Sequence, residues 1–172
     1  AKLKTVNSQS LIVNGHISKA TVYAPYTIGY VSKGVYYFTD GTLLRKIERD
    51  SVSTIASLTQ NSGSSLSRFR RIALSGDNIY LSDSHRIFKV EGNQIIHFAG
   101  YKYNSYIDQD GVGIEAKFRT IQDIITDGSG GLYILDKGAR KIKHMDKEAV
   151  VTTFAGSIHG SSIDGPIASV GF

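Results

Sequence analysis

The feature that most constrains the fold of this chain is a phased repeat. Three segments place a tyrosine three residues before an aspartate: Val35-Tyr36-Tyr37-Phe38-Thr39-Asp40, Asn78-Ile79-Tyr80-Leu81-Ser82-Asp83 and Gly131-Leu132-Tyr133-Ile134-Leu135-Asp136. Each aspartate is followed by a short polar stretch and a second β-prone run: Leu43-Leu44-Arg45-Lys46-Ile47, Arg86-Ile87-Phe88-Lys89-Val90 and Lys141-Ile142-Lys143-His144-Met145. Turns at 48–51, 91–93 and 146–148 lead into a third run at 53–56, 95–100 and 151–156, and one more strand-like piece precedes each tyrosine at 28–31, 72–74 and 124–126. A unit of this kind cannot bury its own faces, so its repetition implies stacked neighbours.

An aromatic residue opens each copy, at Tyr26, Phe69 and Phe118, with Phe172 at the same point of a fourth; the spacings are 43, 49 and 54 residues. Each interval holds four short strands joined by Gly, Asp, Asn and Ser turns, which is the size of one propeller blade. Runs such as Val-Tyr-Tyr-Phe and Leu-Tyr-Ile-Leu are apolar throughout rather than alternating, as expected of strands covered on both faces. With two prolines and no sustained helical period, the expected fold is all-β: a β-propeller of four-stranded blades, with about three complete blades and partial blades at both ends. The expected division is 1–23, the third and fourth strands of a preceding blade plus a linker; 24–59, 60–100 and 101–156, three whole blades; and 157–172, the start of a further one. Within the first of these, Leu11-Ile12-Val13-Asn14-Gly15-His16-Ile17 is read as strand, turn and strand, because Val13-Asn14-Gly15 aligns with Val90-Glu91-Gly92. Propellers close with 4 to 8 blades, and an open stack would leave an apolar face and unpaired edges in water. The chain is therefore expected to be half of a six- or seven-bladed ring, completed by more of the same polypeptide or by a second chain.

The string Asp110-Gly111-Val112-Gly113-Ile114-Glu115-Ala116-Lys117-Phe118, with Asp123-Ile124-Ile125-Thr126-Asp127, Gly130-Gly131-Leu132-Tyr133-Ile134-Leu135-Asp136, Arg140-Lys141-Ile142 and Thr153-Phe154-Ala155-Gly156, resembles a blade of the NHL-repeat β-propellers. Asp164-Gly165-Pro166 with Phe172 matches the opening of another, and the two earlier copies are degenerate. The resemblance implies the propeller fold and no single chemistry. Propellers similar to these include an amidating lyase with a metal in its channel, RNA-binding domains, adhesion domains and scaffolds, so function has to come from the site. In such propellers the loops between the second and third strands and those between blades share the face often used for binding.

Composition removes several classes of function. The absence of cysteine excludes a disulfide framework, a thiolate zinc site and a thiol nucleophile, and is in keeping with an exported or extracellular protein. No stretch reaches the ~18 consecutive apolar residues of a spanning helix. The net charge of +5 is one-sided: residues 1–100 carry 12 basic and 6 acidic side chains, the remainder 8 and 9.

The candidate site residues follow from this placement. Of the five histidines, His97 and His144 fall on strands away from the channel and His16 near the start, which leaves His85 and His159 on the right face; two are too few for a metal that needs three or four ligands. No catalytic residue, metal or cofactor is expected. Asp108-Gln109-Asp110-Gly111 has the alternation of half a calcium loop, without the later acidic ligand, and reads as a turn. Asp40, Asp83 and Asp136 recur in every blade and so are expected to hold backbone N–H groups. Arg68-Phe69-Arg70-Arg71, with Arg86 and Lys89, is expected to form a basic cluster suited to RNA or another polyanion. The connection Tyr101-Lys102-Tyr103-Asn104-Ser105-Tyr106 holds three tyrosines in six residues, and exposed tyrosines on a loop suit a protein partner. The expected partner-binding residues are Tyr103, Lys102, Tyr106, Arg86, Arg140, Arg68 and Arg70, in a non-enzymatic binding or scaffolding module; the alternatives are an amidating-lyase-like metalloenzyme and an RNA- or polyanion-binding propeller.

Overall fold

The computed structural model of the chain describes residues 12–58, 68–103 and 106–157. Its strands in chain order are β1 (Gly15–His16), β2 (Pro25–Ser32), β3 (Val35–Asp40), β4 (Leu43–Glu48), β5 (Ser51–Leu58), β6 (Arg71–Ser75), β7 (Asn78–Ser82), β8 (Ile87–Glu91), β9 (Gln94–Ala99), β10 (Gly111–Val112), β11 (Ile121–Thr126), β12 (Leu132–Asp136), β13 (Lys141–Met145) and β14 (Val150–Gly156). Three antiparallel meanders result, β2 to β5, β6 to β9 and β11 to β14. These are the blades of a β-propeller, and the strands β2, β6 and β11 that begin them lie side by side. The first two blades also touch through β5 and β9, which pair in parallel at Ser57↔Gln94 and Leu58↔Ile95. Turn chemistry sets the registers: β8 and β9 pair up to Glu91↔Gln94, and the two-residue connection begins with Gly92 at φ +58°, where a side chain would be strained.

The alternation of side chains along each strand divides every blade into two faces, and packing them together makes two cores. Leu44, Ala56, Tyr37 and Ile55 of the first blade meet Phe69, Leu81, Phe88, Ile95, Ile72 and Val90 of the second. Ala73, Tyr80, Ile87, Ala99 and Phe98 of the second meet Phe118, Ile124, Leu132, Ile134, Met145 and Val151 of the third. Each fully buried Leu, Ile or Phe contributes about 1.5–3 kcal/mol of hydrophobic stabilisation. The repeated tyrosine belongs to these seams. Tyr80 is fully buried, and its hydroxyl donates to the Gly130 carbonyl of the next blade at 3.0 Å.

The start of the chain differs from the sequence expectation. Residues 12–17 do not form a strand–turn–strand of a preceding blade; Gly15–His16 pairs with the outer edge of the first blade, at Gly15↔Val52 and His16↔Ser51. The third blade carries the same addition, with Gly111↔Val151 and Val112↔Val150. The equivalence extends beyond the strand: the Thr21 N–H donates to Val13 as Lys117 donates to Gln109, and Ile17 to Asp50 as Gly113 to Ala149. Residues 14–22 are therefore a worn copy of 110–118, with Val22 in the place of Phe118. Tyr26 is accordingly not the blade-opening aromatic: it lies on β2, 54% exposed, whereas Phe69 and Phe118 are buried. Its register slipped because Val22 supplies no aromatic signal. The expected start of a further blade, with Asp164-Gly165-Pro166 and Phe172, and the residues before 12, lie outside the described residues.

Candidate binding face

The repeated aspartates define one end of the stack. Asp40 accepts the backbone N–H groups of Tyr23 and Ala24, and Asp136 those of Arg119 and Thr120, both at 2.8 Å, and of Ala139 at 3.2 Å. Asp83 turns inward on its own loop and takes the N–H groups of His85 and Arg86 at 2.8 Å. All three carboxylates are buried, and each satisfies donors that a tight turn would otherwise strand. The loops after β3, β7 and β12 thus meet the segments that lead into the blades. Further ties are Arg70 N–H to Ser82 at 2.6 Å and Ile121 N–H to Ser84 at 2.7 Å.

Gly100 carries the chain from the second blade across this end. At φ +90°, a Cβ on it would lie 2.4 Å from the His85 carbonyl oxygen, so only glycine fits the crossing. The aromatic segment follows immediately. Tyr101 and Tyr103 meet edge to face with ring centroids 5.7 Å apart, the Lys102 ammonium lies 4.7 Å from the Tyr103 ring centroid and the Lys117 ammonium 5.5 Å from that of Tyr101. Tyr103 is 55% and Tyr106 85% exposed. The rings and cations hold one another while leaving their outer surfaces in water, an arrangement worth ~0.5–1 kcal/mol per exposed cation–π contact.

Arg68, Arg70 and Arg140 are exposed; Arg140 sits at φ +57° in the β12–β13 connection. Arg86 is a correction. Only 4% exposed, it pairs through its guanidinium with Asp83 and lies 5.1 Å from the Phe88 ring centroid. The Asp83 carboxylate, buried at the foot of the loop, draws the guanidinium inward and fixes the turn, so Arg86 is not one of the exposed cations. Sequence reading also missed Lys117, half-buried Arg119 and exposed Lys137. Lys117 stands inside the blade-opening motif, which masked its cation–π role, and Arg119 is set beside Asp136 only by the tertiary turn.

The remaining candidate ligands are structural. Asp108 and Asp110 are taken up by lysines: the Lys143 ammonium lies 2.6 Å from both, and Lys141 pairs with Asp108. Burial raises the Asp110 carboxyl, but Lys143 and the N–H and hydroxyl of Thr153 more than offset it and hold it below its ordinary value. Burial lowers the pKa of His85 and His97, and the latter bonds the Gly100 carbonyl at 2.6 Å. His144 holds Asp127 in a 2.8 Å pair that keeps this carboxyl well below the usual carboxylate range. Among the described residues no three His, Cys, Asp or Glu side chains converge on a point where they could hold a metal ion, and His159 lies outside them.

No family model and no curated relative matches the chain. Solved structures do. A protein of unknown function from Bacteroides thetaiotaomicron is 15% identical, with a TM-score of 0.51 over 93% of this chain and 65% of that one. Virginiamycin B lyase from Staphylococcus aureus is 18% identical, with a TM-score of 0.52 over 76% of this chain and 40% of that one. YCF48, solved with the D1 peptide bound, is 10% identical, with a TM-score of 0.55 over 80% of this chain and 43% of that one. The chain spans about two fifths to two thirds of the length of these structures. At such identities the likeness is one of fold, that of a β-propeller.

Proposed function

We propose that the chain is a non-enzymatic binding module of the NHL-like propeller type, which takes an acidic peptide segment of a protein partner on the face bearing Tyr101, Lys102, Tyr103 and Tyr106. The observation that carries this reading is the preassembled cluster of Tyr101, Lys102, Tyr103 and Lys117. Its ring-to-ring and ring-to-cation contacts order the side chains before any partner arrives, which lowers the entropic cost of binding. The exposed cations Arg68, Arg70, Lys137 and Arg140 give a partner with carboxylates the complementary potential. YCF48, similar in fold, is described with a peptide bound, in keeping with a propeller surface serving this purpose.

The test is selection of peptides from a displayed random library on the immobilised chain, followed by calorimetric titration of the strongest. Acidic sequences are expected. Replacing Lys102 and Tyr103 together with Ala should weaken binding ~10- to 100-fold, the loss of one to two hot-spot side chains, with the thermal midpoint unchanged. Equal affinity for the double variant would remove the face from the proposal. The exposed arginines support polyanion binding as the second reading. Single-stranded RNA that binds at low salt and is lost steeply by physiological salt would favour it, while absent or salt-independent binding would eliminate it.

A further inference from the structure

Along an extended chain successive side chains point to opposite sides, so a buried residue has neighbours that face out. At the loop end, the seam between the first and second blades is plugged by buried Phe69, whose carbonyl accepts from the Thr39 hydroxyl of the first blade at 3.4 Å. Its neighbours Arg68 and Arg70 are exposed. The seam between the second and third blades is plugged by buried Phe118, which stands between half-buried Lys117 and Arg119. A cation on either side of a buried ring is thus a feature of both seams. Arg70 and Arg119 hold the same place in their copies, one residue past the ring. There the Arg70 N–H donates to the Ser82 carbonyl at the end of β7, and the Arg119 N–H to Asp136 at the end of β12.

The carboxylates at this end have partners of their own. Asp40, Asp83 and Asp136 are buried and accept backbone N–H groups, and exposed Asp123 pairs with Arg71 at 3.1 Å. The loop after β7 runs between the two seams and carries His85, whose ring is coupled electrostatically to Arg70 of its own blade and Asp136 of the next. Burial lowers the His85 pKa, with Arg86 and Arg70 adding to the shift and Asp83 and Asp136 opposing it. At neutral pH this ring therefore adds no charge of its own between the arginines.

Spacing turns this arrangement into a specificity. Sheets packed face to face lie ~10 Å apart, so equivalent points on successive blades recur at about that distance. A peptide in the polyproline II conformation has three residues per turn, which places side chains three apart on one side, ~9 Å from each other. Building on acidic-peptide binding at this end, we propose that the segment taken is an extended one with two acidic residues three apart, one carboxylate on Arg70 and the other on Arg119. The segment then crosses the second blade from seam to seam. Lys117, two residues before Arg119, has its ammonium 5.5 Å from the Tyr101 ring centroid, which sets the aromatic cluster beside the carboxylate on Arg119.

Proline peptides serve as the ruler, because their backbone holds this conformation without a partner. The full chain is titrated, with nuclear magnetic resonance as the readout, with peptides that carry one glutamate or two glutamates at spacings of one, three and six residues. The three-residue spacing should bind tightest, by ~10-fold over either of the others, the worth of one further charged contact. Arg70→Ala and Arg119→Ala should each weaken that peptide ~10-fold. Both should change the single-glutamate peptide little, since the remaining arginine can take its carboxylate. Circular dichroism verifies each fold, and Arg119→Gln, which keeps the stem beside Gly138, replaces Arg119→Ala if the latter does not fold. Equal affinity at all spacings, or sensitivity to one arginine alone, would overturn the two-seam placement and leave acidic-peptide binding standing. No binding of any glutamate peptide would overturn both.

Discussion

The first and third blades pin the same structural element with different cations. In the third blade the opening segment is held by buried Lys143, a point charge between Asp108 and Asp110, and Asp110 in turn takes the N–H and hydroxyl of Thr153 at 2.8 and 3.0 Å. In the first blade the buried group is Arg45. Its fork reaches the carbonyls of Thr21 and Val13, the Asn14 amide oxygen and Asp40, while the Thr54 hydroxyl also donates to Asn14. Asn14 replaces Asp110, and one carboxylate replaces two. A guanidinium can saturate several fixed acceptors at once, whereas an ammonium needs anions close by to offset its desolvation. The fold preserves the position of the cation and varies how its charge is balanced.

That contrast can be broken from either side. The largest effect is expected from Arg45→Met, which leaves buried Asp40 without its counter-cation and takes one donor from each of the Thr21 and Val13 carbonyls; a loss of about 4 kcal/mol should appear in urea denaturation, and a loss near zero would show that the fork is not holding the segment. Lys143→Met should cost somewhat less, about 3 kcal/mol, because Asp110 is partly exposed and keeps Thr153. Arg45→Lys sharpens the comparison. Alone it should cost about 2 kcal/mol through lost carbonyl contacts, and adding Asn14→Asp, which rebuilds the arrangement of the third blade, should recover about 1 kcal/mol. A double variant no more stable than the single one would dissolve the equivalence.

The smallest effect is one of pH. The folded-state pKa of Asp110 lies below the ordinary 3.8, so its contribution to stability is complete above that value and is lost as the pH falls through the folded-state pKa. The Thr153 amide resonance should titrate with a midpoint below 3.8. Asn14 does not ionise, so Thr54 should show no matching step. A midpoint for Thr153 at or above 3.8 would mean that Lys143 does not hold the carboxylate.

Much of the blade architecture was legible because it rests on local periodicity. Continuous apolar runs mark strands covered on both faces, and the phased tyrosine and aspartate recur because each copy needs the same packing ring and the same acceptor for turn N–H groups. Legibility failed where a signal residue had changed without altering its place. Val22 stands for an aromatic and Asn14 for an aspartate, so Tyr26 was read in place of Val22 and β1 was assigned to a preceding blade. At the binding face the sequence marked the tyrosine-rich segment and the exposed Arg68, Arg70 and Arg140. It misjudged Arg86, because a guanidinium three residues from an aspartate reads as a surface group until the turn closes the pair.

By itself the sequence determined the four-stranded unit, its three copies and the aspartates that tie them, all of which follow from residue type at short range. Only the tertiary structure decided which blade covers which face, that Gly100 brings the tyrosines across the loop end, and that Arg45 and Lys143 serve one purpose. Those outcomes depend on groups 17 to 33 residues or more apart in the chain meeting in space, and side-chain periodicity along a strand carries no record of what lies opposite it.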